Sequence, residues 1–355
     1  MEIIHRLAEE LGLQAAQVEK AVALLDEGNT VPFIARYRKE ATGSLDDIQL
    51  RNLSERLSYL RGLEKRKEEV QNAIDGQGKL TPEILHALEG AQTLTEVEDI
   101  YRPFKQKRKT RASVARERGL EPLAALLLAQ KTDYGKPIEA WAAEYTDSEK
   151  GVETAEDALN GACDILAEDI ADNALFRKAI RTLTVQNGRM KAKQCKDEPS
   201  VYEMYYQFDE KIQGIPGHRI LALNRAEREG FLKVSLELDS EIPLGYLRGK
   251  LLRSEKSPAR PYLTRALEDS YDRLIAPAVE REIRADLLDA AGEGAIRNFS
   301  TNLRQLLMQP PLRGHVTMGL DPGYRTGCKL AVVDATGKVL DTAVIYPTKP
   351  QERVE

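Results

Sequence analysis

The sequence predicts a mainly α protein, with a multi-helical amino-terminal region and a long linking helix leading into the beginning of an α/β domain. Three observations carry this. The chain is rich in Ala, Leu, Glu and Arg, which give up little free energy on entering a helix. From Pro261 to Met308, apolar residues return near one helical face, the longest periodic signal present. After Pro310-Pro311 the texture changes to short runs that alternate like strands. At 355 residues, two or three domains with ample buried core are expected.

The elements follow in order. Val18, Val22 and Leu25 recur at helical spacing until Gly28-Asn29 stops the helix. A second helix opens with Ser44 three residues ahead of Asp47, a capping pattern. Ile48, Leu50, Leu53, Leu57, Leu60, Leu63 and Val70 keep its period to Ile74. Thr81-Pro82 starts another helix, with Pro where a missing N–H does no harm, and Thr95 with Glu98 suggests the next cap. Helices continue from Leu120 to Asn187. "RMKAKQCK" and "FLKVSLELD" then alternate as half-buried strands, and "IQGIPGHRILALNRAEREG" between them is a turn entering a basic helix. The spine from Pro261 is expected to bend near Pro277 or loosen at Gly292 and Gly294, and to end before the double proline. "HVTMGLDPG", "CKLAVVDATGK" and "VLDTAVIYP" give three strands of a meander, too few to bury both faces. Boundaries are expected to separate residues 1–195, a helical domain, from 196–312, a mixed region with two short strands and the spine, and from 313–355, an incomplete α/β domain.

Composition narrows the function classes. The longest apolar run near the middle, Leu123 to Ala129, falls well short of a bilayer span, and "MEIIHRLAEE" lacks the pattern of a signal peptide, so a cytoplasmic location is expected. Cys163, Cys195 and Cys328 are odd in number and far apart, and the four histidines are scattered, so neither a disulfide framework nor a metal site is encoded locally. No cofactor is expected. Net charge is -5, but it is segregated. Residues 101–118 hold eight Lys or Arg and one acid, whereas residues 147–172 hold nine acids and one Lys.

Several residues could carry chemistry. Asp321 ends the first strand of the meander, where RNase H-like nucleases place a metal ligand. Two-metal cleavage needs several carboxylates converging on ions about 4 Å apart, so one aspartate is not a site. Asp334 and Asp341 stand where acids commonly bound turns or strand edges, and an inert or merely binding role for Asp321 outweighs a catalytic one. "DPGYRTG" could alternatively cradle a nucleotide phosphate with the amides of Gly323 to Gly327, although such a fold needs a second half.

The basic island sets Arg102, Lys105, Lys107, Arg108, Lys109, Arg111, Arg116 and Arg118 beside Tyr101 and Phe104. Closely spaced cations neutralise phosphates and a neighbouring aromatic can stack on a base, but the same cations could equally pair with the acidic stretch. "GIPGHRILALNRAER" delivers His218, Arg219, Arg225 and Arg228 near a helix start, a place that favours phosphate or serves simply as a helix entry. "TVPFIARYRKEATGSLDD" offers Arg36, Arg38 and Lys39 around Tyr37 ahead of a capped helix, with Phe33 and Ile34 expected in the core.

Taken together, "NTVPFIARYRKEATGSLDDIQL", "IYRPFKQKRKTRASVARERGLEPLA", "IPGHRILALNR" and "GLDPGYRTGCKLAVVD" resemble the bacterial Tex family, transcription accessory proteins related to a eukaryotic elongation factor. The similarity runs through essentially the whole chain, in order. It implies a helical amino-terminal region and a YqgF-like domain of RNase H-like fold, followed in the family by a helix-hairpin-helix region and an OB-fold RNA-binding domain. Against that pattern the chain is an amino-terminal part ending inside the YqgF-like domain, and Asp321 matches that domain's first acidic position. The resemblance implies a non-enzymatic, nucleic-acid-binding scaffold whose partners are RNA or DNA, with RNA polymerase or the ribosome as further candidates and no membrane. A metal-dependent nuclease and a pure protein-interaction scaffold are the rival readings. The cations of residues 102 to 118 are the first expected phosphate contacts, then Arg219, Arg225 and Arg228.

Overall fold

The structure, a computed structural model, describes every residue except Met1, Lys107, residues 311–313, Tyr324, Arg325, Thr348, Pro350, Gln351, Val354 and Glu355. Two compact units divide it, residues 1–288 and 289–355.

The first unit opens with α1 (Glu2–Leu11), α2 (Ala15–Asp26), α3 (Val31–Tyr37) and α4 (Asp47–Asp75). Leu7, Val18, Val22, Ile34, Leu50 and Leu53 share one buried cluster, which burial of apolar area drives. The periodic residues of α4 are buried from Leu50 to Ile74, as expected, whereas Ile48 is exposed. Two residues before Leu50 is about 200° round a helix, which turns Ile48 away from the stripe. The cap differs from expectation as well. Asp46 accepts the Gln49 amide at 2.7 Å, and Gln49 Oε1 accepts the Asp46 amide at 3.0 Å. Ser44 instead takes a left-handed φ of 65° in the turn that follows Gly43.

α5 (Pro82–Gly90) and α6 (Leu94–Tyr101) bury Leu88 and Val97 against Leu63, Val70 and Ile74 of α4. Thr81 caps α5 as expected, but Thr93, not Thr95, caps α6 by accepting the Glu96 amide. Next come α7 (Arg111–Glu117), α8 (Glu121–Leu128) and α9 (Ile138–Ala142) around α10 (Ala155–Ala171). α10 is the centre of a second core that includes Leu120, Leu123, Ile138, Leu159 and Leu166. Gly161 lies there because a Cβ would come within 2.3 Å of Leu120.

After α11 (Ala174–Asn187), three antiparallel strands form a sheet in the order β2-β1-β3, with β1 at Arg189–Gln194, β2 at Gln207–Lys211 and β3 at Leu232–Glu237. Ala192 stands opposite both Phe208 and Val234, and all three are buried. The expected boundary near residue 196 falls between β1 and the two strands it pairs with. β2 was not expected, because "QFDEK" offers one apolar residue, Phe208. α12 (Gly217–Arg228), α13 (Glu241–Leu251) and α14 (Arg260–Asp269) complete the helices before the spine.

The predicted spine is continuous but not uniform. A π-helical turn at Ser270–Ile275 joins α14 to α15 (Ala276–Leu307). Pro277 has no N–H and its ring clashes with a carbonyl four residues earlier, so a widened turn just before it accommodates the proline. Leu263, Leu267, Tyr271, Ile275, Val279 and Ile283 are buried. Further along, Ile296, Phe299, Leu306 and Leu307 keep the helical period yet are exposed.

In the second unit, β4 (Thr317–Asp321), β5 (Cys328–Val333) and β6 (Val339–Ile345) form an antiparallel meander in chain order. The turn predicted at residues 335–338 is closed by Asp334, whose Oδ1 accepts the amides of Thr336 and Lys338, and Gly337 supplies the positive φ. Met318, Leu320, Leu340 and Val344 are exposed. No described helix is long and apolar enough to cross a membrane.

Candidate nucleic-acid interface

The basic island leaves α6 through a short 3-10 turn, Arg102–Phe104, and re-enters helix at α7. Thr110 caps that entry, its hydroxyl accepting the Ser113 amide at 3.0 Å. Much of the island's charge is met by the acidic stretch that follows in sequence. Arg102 Nε donates to Asp172 at 3.1 Å, and Arg116 donates to Glu168 at 2.8 Å and to Asp169 at 2.5 Å. Burial tends to lower the Arg116 pKa, but the three carboxylates around it hold it above the ordinary arginine value. The Thr154 hydrogen bond depresses the Asp157 carboxyl and Arg118 adds to it, while burial raises Asp164 against the pull of Arg273 and then Arg111.

Lys105 turns back to Glu98, which also accepts from Arg66 at 2.7 Å. Both cations sit over the Tyr101 ring, Lys105 at 5.4 Å and Arg66 at 5.6 Å from its centroid. Tyr101 and Phe104 pack partly buried against the α4–α6 core. Arg108 and Lys109 are different: both are exposed, and neither forms an ion pair among the described residues. Lys107 lies outside the described residues.

The second candidate group is divided in the same way. Arg219 pairs with Glu210 of β2, and Arg225 with Glu229 at 2.9 Å just past the end of its own helix. Glu229 also accepts the Tyr202 hydroxyl at 2.9 Å, so both partners hold its carboxyl below the usual range. Arg228 is exposed and makes no ion pair among the described residues.

Asp321 is exposed at the end of β4, opposite Lys329 of β5. It borders an open depression of about 680 Å3 across the sheet face. Among the described residues, no group of three or more His, Cys, Asp or Glu side chains could hold a metal ion.

Two features escaped the sequence reading. The first is a set of four charges, of which Arg177 and Asp99 are buried and Arg181 and Glu282 partly buried. Arg177 of α11, with 0% of its side chain exposed, donates to Asp99 of α6 at 2.6 Å and to Glu282 of α15 at 2.5 Å. Arg181 donates to Asp99 at 2.9 Å and to Glu282 at 2.6 Å. The second is the surface of α3. Ile34 is buried as expected, but Phe33 is exposed, its ring 5.3 Å from that of Tyr37. Positions 33 and 37 are one helical turn apart and share a face that points outward.

Family models match in chain order: the Tex-like protein N-terminal domain over residues 1–75, the Tex central region-like model over 134–299, and the Tex protein YqgF-like domain over 315–355. The protein YdcI of Bacillus subtilis (strain 168) is 48% identical across 99% of the chain and 49% of its own length. The transcriptional accessory protein Tex of Neisseria gonorrhoeae is 39% identical across 98% of the chain and 46% of its own length. S1 RNA-binding domain-containing protein 1 of Homo sapiens is 33% identical across 97% of the chain and 36% of its own length. The chain therefore spans about half the length of the bacterial relatives and about a third of the human one. Identity at this level over nearly every residue, with the matched models in the same order, means that the chain belongs to the Tex family.

Proposed function

We propose that this chain acts as part of a nucleic-acid-binding transcription accessory factor, supplying a helical scaffold and nonspecific phosphate contacts. The observation that carries the reading is the pair Arg108 and Lys109, exposed and without an ion pair among the described residues, in an island where Arg102, Lys105 and Arg116 are held by carboxylates. Cations left free at the surface can release counterions on meeting a phosphate, and those already satisfied by acids contribute less. Arg228 is the next contact in this reading. The names of the relatives, one a transcriptional accessory protein and one an RNA-binding-domain protein, favour the same class of partner.

In this reading Asp321 is a strand-end residue, and RNA polymerase or the ribosome is a further partner of the assembled factor. The test is fluorescence anisotropy of labelled single-stranded RNA and duplex DNA over a salt series. Reversing both cations, Arg108→Glu with Lys109→Glu, should weaken binding for all sequences alike and flatten the logarithmic salt slope by about 1.5. Unchanged affinity and slope would remove the island from the interface. Magnesium-dependent cleavage that disappears in Asp321→Ala would replace this reading with a nuclease.

A further inference from the structure

We infer that the corner between α3 and α4 is a second site, built for a short stretch of single-stranded nucleic acid and independent of Arg108 and Lys109. The inference rests on the reading that the chain binds nucleic acid. Arg36 and Lys39, at and just after the end of α3, face Arg51 of α4 across a surface groove of about 400 Å3 that also contains one carboxylate, Asp47. None of the three cations forms an ion pair among the described residues. Their neighbours on α4 behave otherwise: Arg56 is paired with Glu10, Arg61 with Asp26, and Arg66 with Glu69 and Glu98. A helix that satisfies three arginines and leaves the fourth facing two further free cations presents a concentrated positive field at that end.

Phe33 and Tyr37 do not line the groove itself; they lie further round α3, and Arg36, three residues after Phe33, is the groove cation next to them on the helix surface. Tyr37 is 60% and Phe33 36% exposed, with ring planes at 46° and the Arg38 guanidinium 5.3 Å from the Phe33 centroid. An arginine beside a helix end is ordinary, and so is a single exposed aromatic. An exposed aromatic pair bordered by unpaired cations matches instead the two needs of a single strand, a stacking platform for bases and charge for the backbone. A duplex hides its base faces, and the acidic side chains of a polyanionic peptide carry no ring to stack, so neither uses the aromatic pair.

The segment is also held in place before any ligand arrives. The buried Thr42 hydroxyl donates to the carbonyls of Arg38 and Lys39, the Ser44 amide donates to Lys39 at 2.7 Å, and Gln17 Nε2 of α2 donates to the Gly43 carbonyl at 2.9 Å. The backbone that carries the cations is thus fixed to the helical core, which reduces the ordering cost of binding.

The whole chain is titrated into a labelled single-stranded oligonucleotide and, separately, into duplex DNA. Tyr37→Ala should weaken single-strand binding about ten-fold with little effect on duplex, whereas Tyr37→Phe, which keeps the ring, should bind as the parent does. Arg36→Glu with Lys39→Glu should flatten the salt slope for single strands. Ultraviolet crosslinking of a 5-bromouridine oligonucleotide should label the peptide that contains Phe33 and Tyr37. If Tyr37→Ala and the double reversal bind single strands as the parent does, or if crosslinks fall only elsewhere, this site is refuted while the wider reading stands. Equal competition by polyglutamate would likewise refute it, by assigning the groove to an acidic protein segment. No binding of any nucleic acid by the parent chain would refute both. Loss in the α3 variants with Arg108→Glu/Lys109→Glu unaffected would uphold this site and discard the island.

Discussion

Arg177 is where a single residue carries the most structural consequence. Its guanidinium is buried among three helices, neutralised by Asp99 and Glu282, with Nη1 left without a hydrogen-bond partner. Burying charge is costly, and removing one partner of such a set leaves the other uncompensated in a medium that screens poorly. Asp99→Ala should therefore lower stability by about 3–5 kcal/mol, read as a shift of the urea midpoint. A loss below about 1 kcal/mol would mean that Glu282 alone satisfies both arginines. None of this was legible in the sequence. Arg177 and Arg181 sit in "LFRKAIRTL" as charged residues of an amphipathic helix would, and their partners are 78 and 105 residues away from Arg177. The charge segregation was legible, and half of its meaning proved internal, since Arg102 and Arg116 meet the acids of residues 147–172. Phe33 and Ile34 show the limit of reading single residues. Adjacent helix positions differ by about 100° in direction, so on a helix covered on one side only, such as α3, one of two neighbouring apolar residues can be buried while the other faces out.

Helices with sustained period were the elements that the sequence specified best. α4 follows its apolar stripe from Leu50 to Ile74, because seven residues in register outweigh any local ambiguity. Caps were placed two residues off, at Ser44 for Asp46 and at Thr95 for Thr93, because several cap formers stand close together and the tertiary turn chooses among them. β2 went unseen because pairing with β1, not its own composition, makes "QFDEK" a strand. Contacts between elements are also where pH enters. Glu10 of α1 accepts from Arg56 of α4 at 2.5 Å and from Arg6 at 2.9 Å, and these bonds hold its pKa down at about 2 from an ordinary 4.5. The folded value lies below the unfolded one, so the contact stabilises fully above about pH 5. Its contribution fades as pH falls below 4.5 and is gone by about 2. Glu10→Gln should cost on the order of 1 kcal/mol at pH 7, given the partial exposure of the pair, and should remove that part of the acid transition. Thermal melts followed by circular dichroism from pH 7 to pH 2 would show it. Parallel curves for parent and variant across that range would mean that the ion pair contributes nothing to docking α1.

At the scale of the molecule, the two units differ in how much apolar surface each removes from water. Residues 1–288 bury their helices in several clusters, and α10 alone has ten buried residues. In residues 289–355 the meander leaves Met318, Leu320, Leu340, Val344 and Ile345 exposed, with Cys328 its buried apolar side chain among the described residues. The sequence foretold this contrast, because three strands without covering helices have nothing to pack against. What it could not foretell is that α15 keeps its apolar stripe past residue 288 while losing its cover, since periodicity records which side is apolar and not whether anything lies on it. Local opening free energy follows buried contacts, so amide hydrogens of β4, β5 and β6 should exchange at least about 100-fold faster than those of α10 under native conditions. Peptide-level hydrogen exchange on the whole chain reads this directly. Fast exchange in 317–345 beside strong protection in 155–171 would establish that the first unit holds its structure without help from the sheet. Equal protection would mean that the strands gain stability from apolar contacts made in solution, and the exposed faces of β4–β6 would then have to be counted as an interface between copies of the chain.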